Sequence, residues 1–204
     1  MKLIGMLDSP YVRRVAVSLK VLGLPFELDQ LSVFRNFEQF SAINPVVKAP
    51  TLVTDDGVVL MESSLILEYL ERIAPRRLMP ADARAVRQVG LALAACEKSV
   101  SIVYELNTRP AEKQHKPWLD RVVAQLHHAY AALEAEIPDS WFTGEELMQP
   151  QITTAVAWRF TRHTSPDRLD AAKFPKLAAV SARAEALPAF RETNFTEAVF
   201  GSGK

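Results

Sequence analysis

Val12, Val15, Ala16, Leu19 and Leu22 recur three or four positions apart, the spacing of one buried helical face, and Gly23 and Pro25 close the segment. Ahead of it runs Lys2-Leu3-Ile4-Gly5-Met6-Leu7, apolar and strand-like, and between the two lies Asp8-Ser9-Pro10-Tyr11-Val12-Arg13-Arg14. This order predicts a strand, a turn and a helix start, with Ser9 as N-cap and Pro10 at the first helical position. Phe26-Glu27-Leu28-Asp29-Gln30-Leu31 alternates as a half-buried strand, and a helical turn or two around Phe34 to Phe40 ends at Asn44-Pro45. Thr51 to Thr54, the turn Asp55-Asp56-Gly57, and Val58 to Met61 form a hairpin signature. Glu62-Ser63-Ser64, with serines available as caps, then leads into Ile66, Tyr69, Leu70 and Ile73, and Ala74-Pro75 stops that helix. The predicted order β-α-β-(α)-β-β-α makes residues 1–75 a compact α/β unit with helices on both faces of a small sheet.

Beyond a proline-bounded linker over 76–81 the pattern is helical only, so residues 82–204 are predicted to be an all-α domain. Val86, Val89, Leu93, Val100, Val103 and Tyr104 mark a long helix ending before Pro110, and Trp118 through Ile137 mark a second that packs antiparallel to it. Trp141-Phe142-Thr143-Gly144 reads as a turn, followed by helices over about Gln149 to His163 and Lys173 to Ala186 and a last short turn after Pro188.

Charge adds a constraint: Lys+Arg 24 against Asp+Glu 24 gives a formal net charge of +0, so no global field draws the protein to nucleic acid or to an anionic membrane. No apolar run approaches the roughly 20 residues of a membrane span, and the N-terminal run lacks the form of a secretory signal. Cys96 is the sole cysteine, which excludes an internal disulfide and fits a reducing cytoplasm; its apolar helical setting reads as a buried thiol. His127 and His128 are adjacent and point about 100° apart on a helix, His115 and His163 lie far off, and no zinc-ligand spacing results. No metal is expected. There is no G-x-G-x-x-G and no P-loop, so neither a dinucleotide nor a nucleoside triphosphate is indicated.

Ser9 therefore carries the first chemical interest: a hydroxyl at the positive end of a helix dipole, beyond the carboxyl end of a strand, suits an anion. Taken alone, Ser9 reads first as a structural N-cap, Lys48 as a solvated lysine and Pro50 as a strand-start proline, whereas a plain helix cap is the lesser reading of Glu62-Ser63, which falls in register with Ser9 and Lys48-Ala49-Pro50.

Four stretches together resemble the cytosolic glutathione transferases. They are Ser9-Pro10-Tyr11-Val12-Arg13-Arg14-Val15, Asn44-Pro45-Val46-Val47-Lys48-Ala49-Pro50-Thr51-Leu52, Met61-Glu62-Ser63-Ser64-Leu65-Ile66-Leu67-Glu68-Tyr69-Leu70, and Gln151-Ile152-Thr153-Thr154-Ala155-Val156-Ala157-Trp158-Arg159-Phe160. The resemblance, to serine-type, bacterial-like members, spans essentially the whole chain and implies a thioredoxin-like N-terminal domain before the helical one. It implies that Ser9 donates a hydrogen bond to the glutathione sulfur and is the catalytic residue. It implies a cis Ala49–Pro50 bond, with the Ala49 main chain pairing with the cysteinyl backbone, Lys48 reaching the glycyl carboxylate, and Glu62 and Ser63 gripping the γ-glutamyl end.

On this resemblance the protein is a cytoplasmic detoxification enzyme and homodimer that directs the glutathione thiolate at a hydrophobic electrophile. Glutathione is the co-substrate, with no tightly bound cofactor. The alternatives are a glutathione-dependent peroxidase, dehalogenase or isomerase on the same fold, or a non-catalytic interaction protein. Tyr11, Phe34, Tyr104, Asn107 and Arg109 are candidates for the electrophile's pocket. The chain departs from the family at Val47, where Gly is common, at Ala49, where Val is common, and at Met148 and Gln151, which stand where a Ser/Thr helix cap and an Asp are usual.

Overall fold

A computed structural model describes residues 1–143 and 147–195, which fall into two compact units, residues 1–78 with 188–195, and residues 79–187. In the first unit β1 (Lys2–Ile4), β2 (Glu27–Asp29), β3 (Thr51–Val53) and β4 (Val59–Met61) form one sheet in the order β2-β1-β3-β4. β1 is parallel to β2 and antiparallel to β3, and β3 pairs antiparallel with β4. This is the topology expected of the thioredoxin-like domain.

Side chains alternate across the sheet, and the alternation sorts the helices. Ile4 and Val53 pack with Leu31 and with Phe40 of α2 (Phe37–Ser41) on one face. Leu3 and Leu52, partners across β1 and β3 and both fully buried, belong to the other, where α1 (Pro10–Leu22) and α3 (Ser63–Ile73) pack together. The apolar stripe foreseen on α1 is buried throughout, and Arg13 and Arg14 are buried with it. Gly23 ends α1 in the left-handed region (φ 70°), and its N–H reaches back to the Leu19 and Lys20 carbonyls.

Arg13 explains why the first unit reclaims the segment after the helical unit. Its Nε donates to the Thr193 carbonyl at 3.0 Å and its Nη2 to the Phe190 carbonyl at 3.2 Å, while the guanidinium lies 5.4 Å from both the Phe190 and Phe195 ring centroids. A buried guanidinium is tolerated where its donors and its charge both find partners, here carbonyls and ring faces.

The second unit is all helical among its described residues: α4 (Ala83–Thr108), α5 (Lys116–Glu136), α6 (Ser140–Thr143), α7 (Gln149–Thr164) and α8 (Pro175–Glu185), with α9 (Pro188–Arg191) following in the first unit. α4 packs on α5 and α7, and α7 on α8, around Trp158, which meets Tyr130 and Phe174 edge to face at 5.3 and 5.9 Å, while Tyr130 and Phe174 lie tilted at 6.1 Å. Inside that apolar core Thr161 Oγ1 meets Tyr130 Oη at 2.7 Å and Ser99 Oγ at 2.6 Å, so these buried hydroxyls satisfy one another. Burial pushes the Tyr130 phenol well above its ordinary value, and it stays protonated. Cys96 lies fully buried in α4. The α8 N-terminus has no local side-chain cap; Glu134 of α5 supplies one, accepting from the Lys176 and Leu177 N–H groups, each at 2.8 Å.

Several local expectations change. Glu62, rather than a serine, caps α3. Trp141 to Thr143 belong to the short α6 instead of a turn, and Gly144 lies outside the described residues. The helix expected from Lys173 starts at Pro175, because Ala171–Lys173 form a separate 3-10 turn that ends at Phe174.

At α7 the departure from the family's cap is visible. Met148 occupies the N-cap with extended backbone, and its N–H is accepted by Gln151 Oε1 at 3.3 Å. The reciprocal arm falls to a thioether, a weak acceptor at best. Met148→Ser should raise the unfolding free energy by about 1 kcal/mol, the usual worth of a hydroxyl at this position. A denaturant titration of the two proteins measures it, and an unchanged midpoint would contradict the cap reading.

Candidate functional site

Ser9 closes the turn after β1. Its N–H donates to the Met6 carbonyl at 3.1 Å, its carbonyl accepts from Arg13 N–H at 2.9 Å, and its Oγ accepts from Val12 N–H at a long 3.4 Å. The hydroxyl oxygen is therefore turned toward the helix amides, and among the described residues the Ser9 O–H has no acceptor. Ser9 is half-buried, and Pro10 follows it in the first turn as the sequence requires.

Gly5 fixes what stands beside this turn. A Cβ on Gly5 would lie 2.6 Å from Val12 Cγ2 and 3.1 Å from Ala49 Cβ, and Gly5 has φ +137°, open to glycine alone. The first turn of α1 and Ala49 thus meet over a residue with no side chain.

Ala49 precedes Pro50 through a cis peptide bond, as expected. Asn44, fully buried, shapes the loop: its Nδ2 donates to Thr51 Oγ1 at 2.8 Å, its Oδ1 accepts from Val46 N–H at 3.0 Å, and Thr51 Oγ1 donates to the Lys48 carbonyl at 2.8 Å. Val47 sits at φ 51°, in the left-handed region where a β-branched residue is an outlier. Lys48 is exposed. Among the described residues the Ala49 N–H and C=O make no hydrogen bond.

Glu62 is held at φ 73°, and its carboxylate accepts from Ser64 N–H at 3.1 Å and Leu65 N–H at 3.2 Å, capping α3. Ser63, 1% exposed, points its hydroxyl at Glu62 Oε1 across 3.4 Å. Arg14 Nη1 donates to Ser63 Oγ at 3.2 Å and to Ser64 Oγ at 3.1 Å. The first turns of α1, the Ala49 loop and the start of α3 are therefore joined within one unit, through Gly5 on one side and Arg14 on the other.

The pocket candidates divide between the units. Tyr11 is half-buried and Phe34 is 44% exposed in the first; Tyr104, 43% exposed, and Asn107 lie three positions apart on one side of α4 in the second. Asn107 Nδ2 donates to the Val103 carbonyl at 2.7 Å, and Arg109 pairs with the buried carboxylate of Glu105 at 3.2 Å. Sequence reasoning assigned no role to Arg14, Asn44 or Gly5. Two adjacent arginines inside an apolar helical stripe are the available signal for Arg14; Asn44 reads in sequence as a breaker, and nothing local distinguishes Gly5. No group of three His, Cys, Asp or Glu with metal-binding geometry occurs among the described residues, and no described helix is long and apolar enough to cross a membrane.

Comparison with known proteins matches residues 3–78 to the glutathione S-transferase N-terminal domain and residues 116–183 to the glutathione S-transferase C-terminal domain. A glutathione S-transferase of Methylobacterium radiotolerans, solved with glutathione sulfonate, superposes with TM-score 0.84 at 29% identity, covering 97% of this chain and 98% of that one. A glutathione transferase family member of Pseudomonas fluorescens Pf-5, solved with bound glutathione, gives TM-score 0.82 at 30% identity over 94% and 97% of the two chains. A maleylacetoacetate isomerase of Pseudomonas aeruginosa is 28% identical over 214 residues, 95% of each chain.

The crowding at Gly5 and the backbone at Val47 have measurable consequences. Gly5→Ala should cost about 1–3 kcal/mol of stability, since neither Val12 nor φ +137° accommodates the methyl group; a loss near zero would show that α1 and Ala49 are free to separate. Where φ is negative, glycine is less stable than alanine, but at Val47 the order reverses. Val47→Gly should exceed Val47→Ala in unfolding free energy by about 1 kcal/mol, and the ordinary order would contradict the left-handed assignment.

Proposed function

The chain belongs to the glutathione S-transferase family, and on that basis we propose that it binds reduced glutathione along the Ala49 strand edge and activates the thiol beside Ser9. The observation that carries this reading is the Ala49 main chain: its N–H and C=O are unspent among the described residues, beside a cis proline, against the first turn of the helix that Ser9 caps. An extended peptide backbone uses both groups as a strand neighbour would, and this places its middle residue, the cysteine, next to Ser9.

The chemistry follows from that placement. A thiol has pKa about 8.5 and reacts as the thiolate, so an outward-donating hydroxyl and the positive end of α1 favour the reactive form at neutral pH. Ser9 lowers the free energy of the anion and forms no covalent bond itself. The thiol proton leaves to solvent, the sulfur forms a bond to an electrophilic carbon, and the leaving group departs with its electron pair. Lys48 at the exposed rim holds the glycyl carboxylate as a point charge; Ser63 N–H and Oγ hold the γ-glutamyl carboxylate at the start of α3, and Glu62 faces the ammonium group. Tyr11 and Phe34, in the same unit as Ser9, contribute to selection of a hydrophobic co-substrate. The serine-type assignment, a homodimer and a cytoplasmic location accompany this reading.

A second reading is favoured by the full-length similarity to the maleylacetoacetate isomerase. The same thiolate would add to a conjugated cis double bond, allow rotation about the resulting single bond, and be expelled to leave the trans isomer. Both reactions need the same activated sulfur, and they diverge only in the co-substrate.

Ser9→Ala tests the shared step. Turnover with a reference electrophile, and with a cis-enediacid, should fall by about 10²-fold while the KM for glutathione changes less than threefold, because the hydroxyl acts on the thiolate and the tripeptide's ends are held elsewhere. Equal turnover in the variant would remove Ser9 from the chemistry.

A further inference from the structure

Arg14 is a full positive charge, 1% exposed, one turn into the helix that Ser9 caps. Its Nη1 forks between two neutral hydroxyls, Ser63 Oγ at 3.2 Å and Ser64 Oγ at 3.1 Å, both in the first turn of α3. A guanidinium is donor only, so each serine oxygen must accept from it, and each hydroxyl proton is forced to point elsewhere. Ser63 is the consequential case. Its proton points weakly at Glu62 Oε1, 3.4 Å away, while the Glu62 carboxylate is engaged by the Ser64 and Leu65 amides at 3.1 and 3.2 Å.

We propose that Arg14 is the positioning residue of the γ-glutamyl carboxylate subsite. By occupying the acceptor side of Ser63 Oγ it fixes that hydroxyl as a donor and, through it, presents a buried positive charge to the ligand's α-carboxylate. The inference rests on the glutathione reading above and adds to it the residue that makes the Ser63 end selective for an anion. The relay runs Arg14 N–H to Ser63 Oγ, then Ser63 O–H to carboxylate. Hydrogen bonds in such a chain polarise one another, and burial keeps the charge from being screened. Arg14 touches neither the sulfur nor the electrophile, so it acts on binding of one end of the tripeptide and leaves the chemical step to Ser9.

The test compares two ligands by calorimetry: glutathione, and the analogue in which 4-aminobutanoate replaces the γ-glutamyl residue, so that only the α-carboxylate is missing. The wild-type protein should prefer glutathione. In Arg14→Gln that preference should shrink by about tenfold, the loss expected for one charge-assisted hydrogen bond. Affinity for the analogue should stay within threefold of wild type, and the kinetic loss should fall mainly on the KM for glutathione. Ser64→Ala, at an exposed position, removes one arm of the fork without opening a cavity, and should shrink the preference by a smaller factor even if Arg14→Gln fails to fold. Arg14→Lys should restore part of the preference by restoring the charge.

If both ligands weaken equally in the variants, Arg14 is a core strut and the proposal is overturned; an unchanged preference in Arg14→Gln and Ser64→Ala overturns it as well. If the wild-type protein binds glutathione and the analogue equally, the Ser63 assignment falls and this proposal with it. If it binds neither, the glutathione reading itself is at fault.

Discussion

The absence of a side chain at Gly5 is the constraint on which the rest of the first unit turns. Only there can the first turn of α1 and the cis-proline loop both close down on the end of β1, with Val12 and Ala49 filling the space a methyl group would need. Close-packed interiors do not absorb such a change without moving something, and here what moves is either Ser9's helix or the Ala49 strand edge. In the proposed mechanism, reactivity depends on that pair. The hydroxyl must lie next to the sulfur while the peptide backbone lies against the sheet, and a shift of about 1 Å between two such elements is enough to uncouple binding from chemistry.

Around this contact the protein builds its charge locally. With a formal net charge of +0, nothing in the overall field attracts an anionic tripeptide. In the proposed site the attraction comes from the N-terminal ends of α1 and α3, from Lys48 on the exposed loop, and from Arg14, which ties the two helices through the Ser63 and Ser64 hydroxyls. The neighbouring Arg13 turns the other way and ties α1 to Phe190 and Thr193, so one helical turn carries two buried cations with separate tasks. The left-handed Val47 and Glu62 lie in the loops that carry Lys48-Ala49 and Ser63, which is where backbone strain tends to be held for function.

The elements were legible wherever a period or a stop signal was strong. The Val12 to Leu22 stripe, the Asp55-Asp56-Gly57 turn and the two long helices stand in the structure where the pattern put them, and the sheet order follows from a parallel crossover joined to a hairpin. What escaped the sequence depends on distant partners. Arg13 and Arg14 stand inside an apolar stripe with no partner visible in the sequence until Phe190 on one side and Ser63 on the other are folded against them. Glu62 displaced the serines as the cap of α3 because its backbone takes a positive φ that no local pattern announces. Glu134 caps α8 from another helix altogether, which sequence spacing cannot express. Asn44 was visible only as half of an Asn-Pro breaker, although its side chain joins Val46 to Thr51.

The proposed site converts bound glutathione to its thiolate at neutral pH. The most direct measurement is an ultraviolet difference titration, following thiolate absorbance of glutathione bound to the wild-type protein as pH is varied. A saturable signal is expected, with an apparent thiol pKa below about 7.5 against about 8.5 for the free thiol. Saturable binding with an unshifted thiol, or no binding, would contradict it.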